Sequence, residues 1–370
     1  MERRTDLDWL RIIAFALLIL YHVGCFYSLA PWHAKSVHAT PTIEPVLLIT
    51  TPWRIPLLFI ISGVATRFMM DKMQTGAFAM SRSVRLLIPF VFSILVIVPP
   101  QTYIELVERG GYTGSYLQFY AHEFTVSHLH QGPVSMPTFE WAHMWFVAYL
   151  FGMTMIVLPL AGMLKRLSTD YLALLHGWLA VAIPVSILLA ADFLVFHTLP
   201  SVPDGGGKFL QGLLFFTFGY VIAKNDAFFE ACHKLRWIAL AGAISAYVLT
   251  INYDGPHASI ERIMHEVQCG GAIVAAFGFA RHYLRGDGPT RRYLTNAIFP
   301  YYIIHQTVLI VAGHYLTRLN LPAWVEAPVL IAIVAASCIV AYEIVRRVWL
   351  LRPLFGLKPE PRPIKKLAAI

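Results

Sequence analysis

Charge is scarce in this sequence. Of its 370 residues only 14% are Asp, Glu, Lys or Arg, while 57% are hydrophobic. Soluble domains carry about 25% charged residues, so a soluble fold of this size could not hide so much apolar surface. Cysteine is equally sparse. Cys25, Cys232, Cys269 and Cys338 share no short spacing, which excludes a disulfide framework and a cysteine metal site. No internal repeat and no second soluble domain can be read. The net charge of +8 does not indicate nucleic acid, because the basic residues sit in short loops between apolar runs and not on one face or tail.

Long apolar runs are what the sequence does have. The first follows Arg3 and Arg4, as a signal peptide would, but it is about 20 residues long and more spans follow. Val23-Gly24-Cys25 is not a lipoprotein box, since His22 stands where a small or apolar residue is needed. A helix needs about 20 apolar residues to cross the hydrocarbon core. Spans are predicted near 10–29, 45–66, 86–101, 142–164, 171–195, 208–223, 236–252, 261–281, 293–316 and 323–345. Pro52, Pro56, Pro89, Pro184 and Pro300 do not veto helices, because neighbouring elements can satisfy the freed carbonyls. The predicted fold class is all-α: a polytopic membrane protein of about ten transmembrane helices with both termini cytoplasmic. With the N-terminus inside, 22 Lys and Arg residues fall in inside segments and 5 in outside segments, as the positive-inside rule requires. A membrane domain over 1–352 and a basic, disordered tail over 353–370 complete the expected organisation. The predicted outside loop 102–141, with His122, His128 and His130, either shapes an external acceptor site or is a plain connector. Its histidines lack a zinc spacing.

Ionisable residues inside spans are functional candidates. Arg11 and His22 lie 11 residues apart on the first helix, hence on nearly one face and about 16 Å apart along the axis. They cannot touch each other, but one long ligand can touch both. At 1.5 Å per residue His22 lies roughly 18–20 Å above the inside end, His305 roughly 18 Å and Arg54 about 16 Å. Two histidines and an arginine thus share one layer. Arg11, Arg82 and Arg85 instead form a basic mouth at the inside face. Each residue also has a plainer reading. Arg11 could be a snorkelling flank, a lone intramembrane histidine a packing hydrogen bond, and Arg82 and Arg85 mere topological signals. His143 and Trp145, in Glu140-Trp141-Ala142-His143-Met144-Trp145-Phe146, could belong to an aromatic belt, and Glu261, His265 and Glu266 to a solvated rim.

A neutral histidine in an apolar site can act as general base toward a sugar hydroxyl. The acyl group must then come from an activated donor, and the phosphates of a coenzyme A thioester demand arginines. The motifs that carry this chemistry resemble those of the membrane-bound acyltransferase-3 family: Leu7-Asp8-Trp9-Leu10-Arg11 running to Tyr21-His22, Trp53-Arg54-Ile55-Pro56 to Ser62-Gly63, Arg82-Ser83-Val84-Arg85, His143-Met144-Trp145-Phe146 and Tyr301-Tyr302-Ile303-Ile304-His305. The likeness spans essentially the whole chain in order. It is strongest to the branch that succinylates osmoregulated periplasmic glucans, through Tyr342-Glu343-Ile344 and Arg352-Pro353-Leu354. The resemblance implies O-acylation, with succinyl or acetyl, of an extracytoplasmic glycan by a bacterial inner-membrane enzyme. His22 would be the base, with Arg11 essential and His305 supporting. Arg82, Arg85 and Arg11 would hold acyl-CoA as co-substrate, with no bound cofactor and no metal. Arg54, His143 and Trp145 are assigned to the oxyanion or acceptor site. The expected partners are acyl-CoA, a periplasmic or surface carbohydrate and the bilayer, without nucleic acid. The rival is a transporter or flippase for a glycan or lipid intermediate.

Overall fold

The computed structural model describes residues 4–123, 128–131, 134–137, 140–198, 204–253, 255 and 257–359. Its helices are α1 (Thr5–Tyr27), α2 (Glu44–Leu48), α3 (Thr51–Met70), α4 (Thr75–Phe92), α5 (Pro99–Gly110), α6 (Tyr116–Glu123), α7 (Trp145–Arg166), α8 (Leu179–Thr198), α9 (Asp204–Ile222), α10 (Asp226–Ile251), α11 (Ala258–Tyr283), α12 (Pro289–Leu316), α13 (Ala323–Arg347) and α14 (Leu351–Leu354). One antiparallel hairpin, β1 (His128–Gln131) with β2 (Val134–Pro137), is the only sheet among the described residues. Each predicted span overlaps a helix, though 171–195 becomes α8 only from Leu179 and 45–66 is divided between α2 and α3. Among the described residues eight helical segments, against the ten expected, are long and apolar enough to cross a membrane, and α8 adds a shorter apolar stretch, Leu179–Val195. A helix can do this because it satisfies every backbone group within itself. Pro56, Pro89, Pro184 and Pro300 do lie inside helices, and Pro52 sits in the first turn of α3.

The third span departs from expectation. The helix begins at Thr75, well before 86, and passes through a π turn at Ser93–Ile97 into α5 without breaking. Pro99 and Pro100, inside the predicted span, occupy the first turn of α5, where a missing N–H costs no hydrogen bond. The predicted loop 102–141 therefore starts only at Gly111, which closes α5 in the left-handed conformation (φ 61°). Between it and residue 141 stand α6 and the hairpin. His122 belongs to α6, while the side chains of His128 and His130 lie outside the described residues.

Packing fixes which loops share an end. Thr5 and Trp9 donate to the carbonyls of Arg285 and Gly286. Arg4 stacks on Phe229, and Lys165 and Lys224 both reach Asp71, at 2.6 and 2.5 Å. Burial opposes the Asp71 charge, but bonds from Lys165, Lys224 and Arg67 outweigh it and hold the carboxyl below its ordinary range. At the other end Arg109 donates to the Trp32 carbonyl, Tyr247 to that of Pro45 and His38 to that of Leu321. All the loops read as basic and inside thus gather at one end, the basic end. In the middle, α3 and α9 touch backbone to backbone. A Cβ on Gly63 would collide with the Phe216 carbonyl, and one on Gly219 with the Ile60 carbonyl, which is the close approach that small residues give helices in lipid.

The predicted tail from 353 does not leave the bundle at once. Arg352 donates to the carbonyls of Arg346 (2.7 Å) and Lys358 (2.9 Å), and Gly356 (φ 68°) rests on Phe299 and the Arg85 carbonyl. Residues 360–370 lie outside the described residues.

Candidate active site

The Arg11–His22 spacing places the two residues on one helix, and α12 packs beside α1. From α12 comes His305, whose Nε2 lies 2.9 Å from His22 Nδ1, with the two rings within 7° of one plane. His305 Nδ1 lies 2.7 Å from the Tyr302 carbonyl. A carbonyl only accepts, so the proton of a neutral His305 is on Nδ1. Its Nε2 must then accept, and His22 must donate from Nδ1. What remains on His22 is Nε2, with a free lone pair. One backbone carbonyl thus sets two tautomers in series.

His143 is fixed in the same way. Its Nε2 donates to the Ile303 carbonyl at 3.0 Å, leaving Nδ1 to accept from Gln101 at 3.5 Å. Gln101 also donates to Thr307 Oγ1 (2.6 Å) and accepts from Gln306 (3.1 Å). Tyr302 closes the set by donating to the His143 carbonyl. Sequence reading singled out His143 and His305 but passed over Gln101, Gln306 and Thr307. The signal was present: His305-Gln306-Thr307 is a run of three polar residues inside an apolar span.

His22 and His143 line a cavity of about 580 Å³ at the end opposite the basic one, with Trp32, Trp141, Trp145 and Glu140 among its walls. His33, also on its wall, bonds the Glu105 carboxylate, which pairs with Arg109 at 2.8 Å as well. Burial, and then the nearby Glu105, raise the Glu140 carboxyl above its ordinary range. His33, Glu105 and Glu140 bring one ligand atom each within 4.8 Å of one another, so a cation could be accommodated where the sequence suggested no metal. Residues so far apart in the chain leave no spacing to recognise.

Toward the basic end, Arg11, Arg82 and Arg85 line a narrow slot of about 110 Å³ with Phe15, Phe146 and Phe299. Arg11 donates to the Thr295 carbonyl and the buried Arg82 to Thr154 Oγ1, while Arg82 Nε has no partner among the described residues. Phe15 and Phe146 meet Tyr302 with centroids at 5.6 and 6.0 Å, and Tyr302 meets His143 at 5.3 Å and His305 at 5.9 Å. An aromatic cluster therefore bridges the arginine slot and the histidines.

Other predicted residues go elsewhere. Arg54 is not aimed into either cavity. Its guanidinium covers the Tyr21 ring at 3.6 Å and donates to Thr50. Glu266 is buried near His265 (3.6 Å), and Asp192, buried on α8, accepts from Gln211, but none of these lines the His22 cavity. A cleft of about 730 Å³ between α1, α12 and α13 is lined mostly by apolar side chains and holds none of the predicted site residues.

Residues 4–343 match the family model of the acyltransferase-3 domain. The chain belongs to the acyltransferase-3 family. Acyltransferase-3 membership and the many apolar helices make it a multi-pass membrane acyltransferase. It is 24% identical to glucans biosynthesis protein C of Shigella dysenteriae serotype 1, over 97% of this chain and 95% of the relative. It is 23% identical to the protein of the same name from Escherichia coli O6:K15:H31, with the same coverage of both chains. No solved structure matches it. The motif positions Arg11, His22, Arg82, Arg85, His143 and His305 all fall within the matched acyltransferase-3 region and line, or directly bond residues that line, the two cavities.

Proposed function

We propose that this chain O-acylates a periplasmic or surface glycan, taking a succinyl or acetyl group from acyl-CoA on the cytoplasmic side of the bacterial inner membrane. One observation carries the reading: His22 Nε2 is left as a free base on the wall of a polar, tryptophan-lined cavity, while an arginine slot opens toward the other end. The carbohydrate hydroxyl enters from the tryptophan side. His22 Nε2 takes its proton as the oxygen attacks the thioester carbonyl. The tetrahedral intermediate expels the thiolate, which takes the proton back from His22 and leaves as the thiol. His143 and Trp145, on the cavity wall with His22, are proposed to hold the acceptor, while Arg54, turned onto Tyr21 and Thr50, is left out of the oxyanion role. The names of the similar proteins support a glucan-type acceptor. Acyltransferase-3 membership favours acyl transfer over a flippase.

The chain in nanodiscs, given acyl-CoA and an oligoglucan, is expected to yield free thiol and an ester on the glycan by mass spectrometry. Neither product, with glycan crossing the bilayer when the chain is placed in proteoliposomes, would favour the transporter. Arg82→Ala and Arg85→Ala are expected mainly to raise the KM for acyl-CoA, by about 1.5–3 kcal/mol per lost charge-assisted contact. Parental KM values would leave these arginines as topological signals.

Orientation follows from the positive-inside rule. Reporter fusions after residue 288 are expected to read cytoplasmic and after residue 120 periplasmic. A cytoplasmic signal at 120 would invert the scheme and put the donor on the wrong side.

A further inference from the structure

The motif Tyr342-Glu343-Ile344 with Arg352-Pro353-Leu354 has no part in the chemistry above, yet it builds a cavity. We propose that the turn from α13 through Lys358 is a phosphate clamp for the nucleotide end of the acyl donor, a deepening that rests on the acyl-CoA reading.

The cavity, about 500 Å³, has Arg85, Arg346, Arg347, Arg352 and Lys358 around it and no carboxylate among its lining residues. Glu343, just behind, is shared by Arg346 and Arg347 at 2.9 and 2.8 Å, so among the described residues one acid stands against five bases. So dense a set of like charges is costly unless an anion completes it, and guanidinium groups bind phosphate bidentately. The turn is built, not adventitious. The Arg352 guanidinium ties the carbonyls of Arg346 and Lys358 together. Gly356, in the left-handed region at φ 68°, lets the backbone settle on Phe299.

A phosphate ester could come from a nucleotide or from a lipid headgroup. The wall shared between cavities favours the nucleotide. Arg85 and Phe299 line both this cavity and the slot that holds Arg11 and Arg82. A ligand with phosphates in the clamp can therefore send a thin arm into the slot and on toward the aromatic cluster beside His305. An anionic lipid would send its tails into the bilayer and have no use for the slot.

Lys358 and Arg347 are the residues to change, because among the described residues neither side chain holds the turn: Lys358 contributes only its carbonyl, and Arg347 bonds only to Glu343. The full chain in phosphatidylcholine nanodiscs is titrated calorimetrically with CoA, 3′-dephospho-CoA and pantetheine. The Lys358→Gln and Arg347→Gln pair is expected to weaken CoA about ten- to a hundredfold, 3′-dephospho-CoA less, and pantetheine not at all. Equal CoA affinity in parent and variant overturns the clamp alone. A parent that binds no CoA overturns the donor reading and the clamp together. Unchanged CoA affinity with loss of copurifying phosphatidylglycerol would make this a lipid site, which also overturns the clamp.

Discussion

His22→Gln is expected to lower acyl transfer about 10²–10⁴-fold while the protein folds, inserts and binds acyl-CoA much as the parent does. The tautomer chain is what makes glutamine the telling replacement. His22 spends Nδ1–H on His305 and keeps Nε2 for chemistry. A glutamine amide can still donate to His305 Nε2, so the packing role survives. Its other end is an amide oxygen or nitrogen that cannot take up a hydroxyl proton. Folding should tolerate the change, because the residue is only partly buried and the replacement is polar and of similar size. Donor binding should tolerate it too, because the Arg11 end of the slot lies about 16 Å away along α1. Single-turnover transfer and CoA binding, measured on one preparation, separate the two roles. Near-parental transfer by a well-folded His22→Gln would return His22 to a packing hydrogen bond.

Helix arithmetic made much of this legible. The rise per residue put His22 and His305 at one depth, and the structure joins them. The 100° step put Arg11 and His22 on one face, and the two line different cavities along it. Depth alone does not give direction around an axis. Arg54 shares the layer, yet it turns onto Tyr21 and is not aimed into the cavity, because its own helix contributes Thr50 as a partner. The basic mouth was readable because charge at a span end has few places to go. Glu105 is not singled out because 102–141 reads as a loop, whereas the helix runs on to Gly110. His33 and Glu140 come from separate loops, and only folding brings them beside it. The same holds for the clamp: Arg85 and Lys358 meet only because α14 doubles back on the bundle.

His305→Ala is expected to cost about 10²-fold in kcat with little change in the KM for acyl-CoA, the mark of a positioning residue that does not hold substrate. His305 is buried behind the wall of the His22 cavity and does not itself line it; its work is to accept from His22 while donating to the Tyr302 carbonyl. Remove it, and the His22 ring loses the acceptor that fixes both its proton and its angle. The proton can then move to Nε2, where it blocks the base, and a mis-set tautomer is enough to cripple a histidine base. His305→Gln provides the decisive contrast. Its amide oxygen can accept from His22 Nδ1–H while its amide N–H₂ donates to Tyr302, so the relay is rebuilt in neutral form. Transfer is expected to recover to within about tenfold of the parent. His305→Phe fills the same space with no polar atoms and should stay as slow as His305→Ala. If glutamine and phenylalanine perform alike, the bond to His22 carries no catalytic weight and His305 only fills the core between α1 and α12. If glutamine alone recovers, the Tyr302 carbonyl is the fixed point from which the tautomer of the base is set.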